Sequence, residues 1–347
     1  MTSLKAIHSR RTVTGMLGGL ALTGLAARSM RAQEATSSPV AGASPVGSEW
    51  SYTDVLGKSV TLPSRPVRIA ANLVTAAALW DLGIKAVAVF DWTASAHPDG
   101  DHIAWGNVDA KAVANVGDAD GNIQPEELLV AKPDVILTLT FDPANAADTA
   151  GVTPDLAGRI EEIAPVLVVT DMASTEIQLT RLVELGESLG ADLSQPAIVD
   201  AKATYDAKVA ELREVAAGKS DLTALFMNFD ADAIYAAGPQ GVAELEFLGS
   251  LGLQFANADS PEAGAFWETL SKEAALKYPS DLLYNDVYSA YQTLEELQAQ
   301  PVLDAMPAVA AGQVGEWKRD FPVSYAGLTD FLEVILATLR TAEKVTG

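Results

Sequence analysis

Apolar side chains along this chain follow two patterns that take turns. Short, nearly unbroken runs at 87–90, 135–139, 166–169, 222–226 and 282–285 are bounded by Gly, Pro, Lys or Asp and read as strands covered on both faces. Between them the spacing changes to that of helices. Leu73, Ala77, Leu79, Trp80 and Leu82 lead to a stop at Gly83, and Ile177, Leu182, Leu185 and Leu189 share one side of a segment over 175–189. Further helical patterns cover 244–251, ending at Gly252, and 325–345. Pro125, Glu126 and Glu127 suit a first helical turn, with Leu128, Leu129 and Ala131 supplying its apolar side. Such alternation predicts an α/β fold built on parallel strands.

One helical pattern is longer than the rest. Over 195–217, Ile198, Ala201, Tyr205, Val209, Leu212 and Ala216 recur every three or four residues. At about 1.5 Å per residue such a helix spans roughly 33 Å, enough to cross from one lobe to another. The segment 91–117 is the reverse case, long and irregular, with Trp92, His97, His102 and Trp105. Loops of that length are uncommon unless functional or disordered, and the loop after a strand's carboxyl end is where α/β sheets hold ligands.

Composition narrows the function. The chain has 347 residues, enough for two lobes, and its formal charge is −23, from 23 basic and 46 acidic side chains. That balance argues against nucleic acid and against adsorption to anionic lipid. There is no cysteine, hence no disulfide, no thiolate site and no lipobox anchor. Residues 1–32 read as an export signal: Ser9-Arg10-Arg11-Thr12-Val13 precedes a weakly hydrophobic, Gly-containing run, and Ala32 is a small residue suited to cleavage. The paired arginine is similar to a twin-arginine signal; an ordinary secretory signal and an uncleaved anchor are the alternatives. Residues 33–49, rich in Ser, Ala, Gly and Pro, form a flexible spacer. The folded body then divides into a first lobe over 50–172, connecting helices over 173–217 and a second lobe over 218–347.

Several local features carry a family resemblance. A hairpin around Gly57-Lys58 is followed by Pro63-Ser64-Arg65-Pro66-Val67-Arg68-Ile69 at the entry to a strand, by a helix ending Leu82-Gly83-Ile84, and by Lys132-Pro133-Asp134 before another strand. Ile163-Ala164-Pro165 and the run 301–314 match closing elements of two lobes. Together these resemble, over about residues 50–345, the substrate-binding proteins of ABC importers in the iron-siderophore and vitamin B12 class. The resemblance implies two α/β lobes joined by one long helix, a ligand cleft between them, and capture of a ferric siderophore outside the cytoplasmic membrane for delivery to an ABC permease. Haem and a corrinoid are the alternatives within the class.

The residues point the same way. There is no phosphate-cradling Gly-x4-Gly-Lys loop, and the Gly-x-Ser-x-Gly string at 186–190 closes the helical pattern over 175–189 instead of turning from a strand into a helix, so binding without turnover is expected, with an extracellular hydrolase as the remote alternative and no resident cofactor. Ligand contacts are expected from Asn72, Trp92, Trp105 and Phe141 in the first lobe and from Tyr288, Trp317 and Arg319 in the second. Arg319 is expected to grip an anionic chelate through charge-assisted hydrogen bonds. Trp92, Trp105, Tyr288 and Arg319 also have plainer readings, the aromatics as core and Arg319 as a solvated partner of Glu316 and Asp320. No protein metal site is expected, although Ala96-His97-Pro98 is similar to the position of a haem ligand in relatives of this class. By position the resemblance makes Glu126 and Glu246 the acids that dock onto the permease, with Glu127 and Glu244 close enough to compete for the role.

Overall fold

The structure, a computed structural model, describes residues 49–145, 148–171, 173–230, 233–287 and 292–347. The export-like segment, nearly all of the spacer, and Tyr288 and Tyr291 lie outside the described residues. A hairpin of β1 (Trp50–Thr53) and β2 (Ser59–Leu62) opens the fold. The first lobe follows with β3 (Ile69–Asn72), α1 (Leu73–Asp81), β4 (Ala88–Phe90), α2 (Trp92–Ala96), β5 (Ala114–Asn115), α3 (Pro125–Ala131), β6 (Val135–Leu139), α4 (Ala157–Ile163) and β7 (Val166–Thr170). Two connecting helices, α5 (Thr175–Ser188) and α6 (Pro196–Gly218), lead to the second lobe. Its elements are β8 (Ala224–Phe229), β9 (Ile234–Ala237), α7 (Ala243–Ser250), β10 (Trp267–Leu270), β11 (Leu282–Asp286), α8 (Leu294–Gln298), α9 (Pro301–Asp304), α10 (Pro307–Ala310), β12 (Val314–Trp317) and α11 (Tyr325–Leu339).

The two sheets have corresponding orders, β5-β4-β3-β6-β7 and β10-β9-β8-β11-β12. The first is wholly parallel, whereas β9 pairs antiparallel with both β8 and β10 in the second. Each sheet is covered on both faces, which is why its strands read as continuous apolar runs. Ala71, Val89, Leu137, Leu167 and Val169 face a core shared with α1 and α5, while Ala70, Phe90, Ile136 and Val166 face Leu128 and Ile160 of α3 and α4. In the second lobe Phe226 and Tyr284 pack towards α6, α7 and α11, and Leu225, Met227 and Leu283 towards α8, α9 and α10.

The α6 helix belongs to both cores. Ile198 sits in the first, and Tyr205, Val209, Leu212 and Ala216 sit in the second. Its outer side is stitched to α11 by an ion-pair network in which Lys208 bridges Glu211 and Glu333, and Arg340 pairs with the same two glutamates at 2.5 and 2.7 Å. Val323 and Tyr325 also pack against both cores, and Ser324 Oγ donates to Asp81 Oδ2 of α1 at 2.6 Å. The lobes therefore share apolar surface as well as a rod.

A buried carboxylate ties the chain's end to the second sheet. Asp281, fully buried, accepts backbone N–H bonds from Thr223, Val345 and Thr346 and a bond from the Lys344 ammonium at 3.0 Å. Burial by itself would raise its pKa, but these donors pull it well below the usual carboxylate range. The folded state thus favours the ionised form, so the stabilisation is complete above the ordinary carboxylate pKa and is lost as pH falls below it. Asp281→Asn is expected to lower unfolding free energy by about 2–4 kcal/mol at pH 7. Urea titration checks this, and the deficit should shrink below about pH 4.

Candidate ligand-binding site

Parallel strands place their carboxyl ends on one edge, and here the loops after β3, β4, β6, β7 and β12 border one cleft, joined in the second lobe by residues after β9 and before β10. Asn72 ends β3, Asp91 follows β4, Phe141 lies just past β6 and Asp171 follows β7. From the second lobe come Glu244 at the start of α7, Phe266 ahead of β10, and Arg319, Asp320 and Phe321 after β12. The cavity measures about 400 Å³, within the usual range for small-molecule sites.

Helix starts shape the first-lobe wall. The Asn72 side-chain oxygen accepts from Val74 N at 3.2 Å, capping α1, while its amide donates to Asp91 Oδ2 at 2.9 Å. Asp91 Oδ1 in turn accepts from Thr93 N at 2.8 Å and caps α2, which sets Trp92 at the cleft with 38% of its surface exposed. Phe141, 58% exposed, lines the same cavity and offers a large apolar face to whatever enters it. Gly121 is required by the backbone here. Its φ is +85°, and a Cβ would lie 2.6 Å from Trp92 N.

On the opposite wall Arg319 is held from two sides. Its Nε donates to Asp286 Oδ2 at 3.0 Å, Nη1 lies 3.7 Å from Asp320 Oδ2, and its guanidinium covers the Trp267 ring at 5.8 Å. Asp286 is itself fully buried and accepts from Asn228 at 3.0 Å. The chain turns at Asp320 through a left-handed conformation, φ 59°, which Asp tolerates better than most residues.

Two expected ligand contacts are corrected. Trp105 is buried among Ala77, Leu79 and Ala104 in the first core, because the long segment 91–117 folds back as α2, a short 3-10 turn over Ile103–Trp105 and β5 rather than remaining an open loop. Trp317 is buried on the inner side of β12, edge-on to Phe226 and Trp267 at 5.5 and 5.6 Å. Its indole N–H completes no hydrogen bond among the described residues, yet it lies near enough to Glu244 to favour that carboxylate. Asn72, Trp92, Phe141 and Arg319 are brought together at the cleft. His97 is not at the cleft wall: its ring bonds Asp101 at 2.9 Å and packs 4.9 Å from His102. No group of three potential metal-ligating side chains occurs among the described residues.

Glu244 and Glu246, two positions apart on α7, point to opposite sides, as helical geometry requires. Glu246 is exposed, whereas Glu244 lines the cleft. Glu126 is exposed on α3 and paired with Arg159 at 2.6 Å. Beyond Glu244, the acids Asp91, Asp120, Asp171 and Asp320, and Phe266 with them, also line the cleft without standing out in the sequence.

A family model for periplasmic binding proteins matches residues 69–321. The chain belongs to that family. Among solved structures, this binding protein is similar to DesE, a ferric-siderophore receptor protein from Streptomyces coelicolor, at 30% identity and a TM-score of 0.75, over 86% of this chain and 100% of DesE. The siderophore periplasmic binding protein of the fuscachelin gene cluster of Thermobifida fusca shares 20% identity, TM-score 0.59, over 80% and 98% of the two chains. The petrobactin-binding protein YclQ of Bacillus subtilis shares 14%, TM-score 0.63, over 84% and 99%. The latter two likenesses concern the fold. No curated protein matches the chain.

Burial, followed by the negative field of Asp320, pushes the Glu244 carboxyl from its ordinary value near 4.5 up to about 7. The folded protein therefore holds a proton that the unfolded chain releases, and stability declines as pH rises between those values. Glu244→Gln keeps the shape and removes the charge. It is expected to stabilise the protein by about 1–3 kcal/mol at pH 8, a rise of a few degrees in Tm, and to have no effect near pH 4.5. Calorimetric melting at the two pH values checks this.

Proposed function

We propose that this periplasmic binding protein captures a ferric siderophore in the cleft between its lobes and delivers it, chemically unchanged, to the permease of an ABC importer. The observation that carries this reading is the convergence of exposed Trp92 and Phe141 with Phe266 and Arg319 at one cavity lined from both lobes. Aromatic walls suit the organic envelope of an iron chelate, whose metal is already coordinated and asks no ligand from the protein. Its likeness to DesE supports the same class of cargo. Haem through His97 is less favoured, since that ring is engaged with Asp101 away from the cleft wall.

Delivery would use the outward acids. Glu126 and Glu246 are exposed on α3 and α7, one on each lobe, and we assign them to docking on cationic residues of the permease. The family acts outside the cytoplasmic membrane, and we take the twin-arginine-like segment as the route there. No helix among the described residues is long and apolar enough to cross a membrane.

Tryptophan fluorescence titrations with a ferric hydroxamate, a ferric catecholate, haemin and cobalamin test the cargo. Saturable quenching by a ferric siderophore is expected, with most of the signal removed in Trp92→Phe and affinity reduced about tenfold or more in Phe141→Ala. Response to haemin or cobalamin alone would reject the reading. Docking is tested separately: Glu126→Arg with Glu246→Arg should abolish chelate uptake by cells while the purified variant still shows quenching.

A further inference from the structure

The cleft is acidic. Among the described residues Asp91, Asp120, Asp171, Glu244 and Asp320 line it, with Arg319 as the cation there. Arg319 is already committed to Asp286 and Asp320, and Asp171 is paired with Arg181 at 2.6 Å. Asp91 is held by neutral donors, the Asn72 amide and Thr93 N–H, which leave its charge uncancelled. Asp120 and Glu244 form no ion pair among the described residues, and they come from different lobes. At Glu244 the repulsion of Asp320 outweighs the attraction of Arg319. Near the same wall the Asp148 carboxyl is raised by burial and then by its neighbour Asp142, a second sign of crowded negative charge.

Arg319 bonds the fully buried Asp286 through Nε and lies beside Asp320 through Nη1, so much of its positive charge is already offset within the protein. Arg319 thus neutralises Asp286 while standing at the cleft wall, where the acids outnumber it. We propose that the cleft selects a positively charged cargo, a ferric chelate bearing a basic group, and that Asp120 and Glu244 are the two carboxylates that meet its charge, one from each lobe. This rests on the siderophore reading above and specifies its cargo. An ammonium or guanidinium so placed would gain charge-assisted hydrogen bonds and, over Trp92, Phe141 or Phe266, the attraction of an aromatic face. A cation there would also draw the Glu244 carboxyl into its ionised form. Bridging acids on both lobes, such a group would favour the arrangement in which the two walls are drawn together.

The probe is one ferric linear trihydroxamate in three forms: with a free terminal amine, with the amine acetylated, and with it succinylated, giving cationic, neutral and anionic chelates of nearly the same shape. Titration calorimetry at pH 7.5 is expected to show affinity falling about tenfold from cationic to neutral and further to anionic. Raising salt should weaken the cationic form and not the neutral one. Asp120→Asn and Glu244→Gln should each reduce the cationic-to-neutral affinity ratio to about threefold or less; the comparison is a ratio within one protein, so a general loss of fold would not imitate it. Equal binding of all three forms, or preference for the anionic one, overturns charge selection and leaves siderophore capture standing. A selective ratio that both variants preserve overturns the assignment to Asp120 and Glu244. Failure of all three to bind, together with failure of the ferric catecholate, removes the siderophore reading and this proposal with it.

Discussion

The cleft exists because α6 is anchored at both ends. A 23-residue helix buried at Ile198 in one core and at Tyr205, Val209, Leu212 and Ala216 in the other cannot bend without breaking the packing of a lobe. The α11 helix reinforces it through the network of Lys208, Glu211, Glu333 and Arg340, and the segment just before α11 packs Val323 and Tyr325 against both cores. Individual surface pairs of this kind contribute little, about 0–1 kcal/mol each, but a network joining two buried helices restrains their relative motion. Two sheets held in this way present their loops to a shared cleft, so those loops can be specialised for a cargo without altering the scaffold.

The architecture was legible because its strands are buried on both faces. Val135 to Leu139 and Leu282 to Asn285 have no polar side to confuse them with amphipathic segments, and Gly83 and Gly252 mark helix ends plainly. Legibility failed where segments are short or half-exposed. Trp267–Leu270 alternates in burial as an antiparallel edge strand, yet its residues, Trp, Glu, Thr and Leu, resemble the lead-in to a helix. The segment 91–117 offered no period at all. Its order comes instead from side chains bonding to backbone, as Asp91 and His102 do at the starts of α2 and the 3-10 turn, and such local bonds leave no hydrophobic pattern to read.

The site was harder to read for a related reason. Tryptophan in a loop and tryptophan in a core are the same letter, and Trp105 and Trp317 went inward because each lies beside a strand or helix that needed a large apolar neighbour. Glu244 and Glu246 could not be told apart from composition. Only the phase of α7, set by Leu245 and Leu248 facing the core, assigns one acid to the cleft and the other to the outer surface. Asp120 was invisible in a chain with so many acids. It is distinguished by position alone, one residue before Gly121, whose close approach to the Trp92 backbone brings that turn to the cleft wall.

These placements divide the polar residues of the cleft into two kinds. Asn72 and Asp91 bond one another and helix ends, and Asp286 holds Arg319 through Nε, so the positions of these side chains are set before any cargo arrives. Preorganisation of that sort limits the entropy lost on binding but leaves few groups free to recognise anything. On the reading proposed above, recognition falls to the exposed faces of Trp92 and Phe141 and to the carboxylates of Asp120 and Glu244. An apolar face gains by being covered and a crowded carboxylate gains by meeting a cation. A cargo that offers both, an organic envelope around its metal and a basic group at its edge, relieves each of them at once, and the rigid frame set by α6 ensures that the relief is felt by the two lobes together.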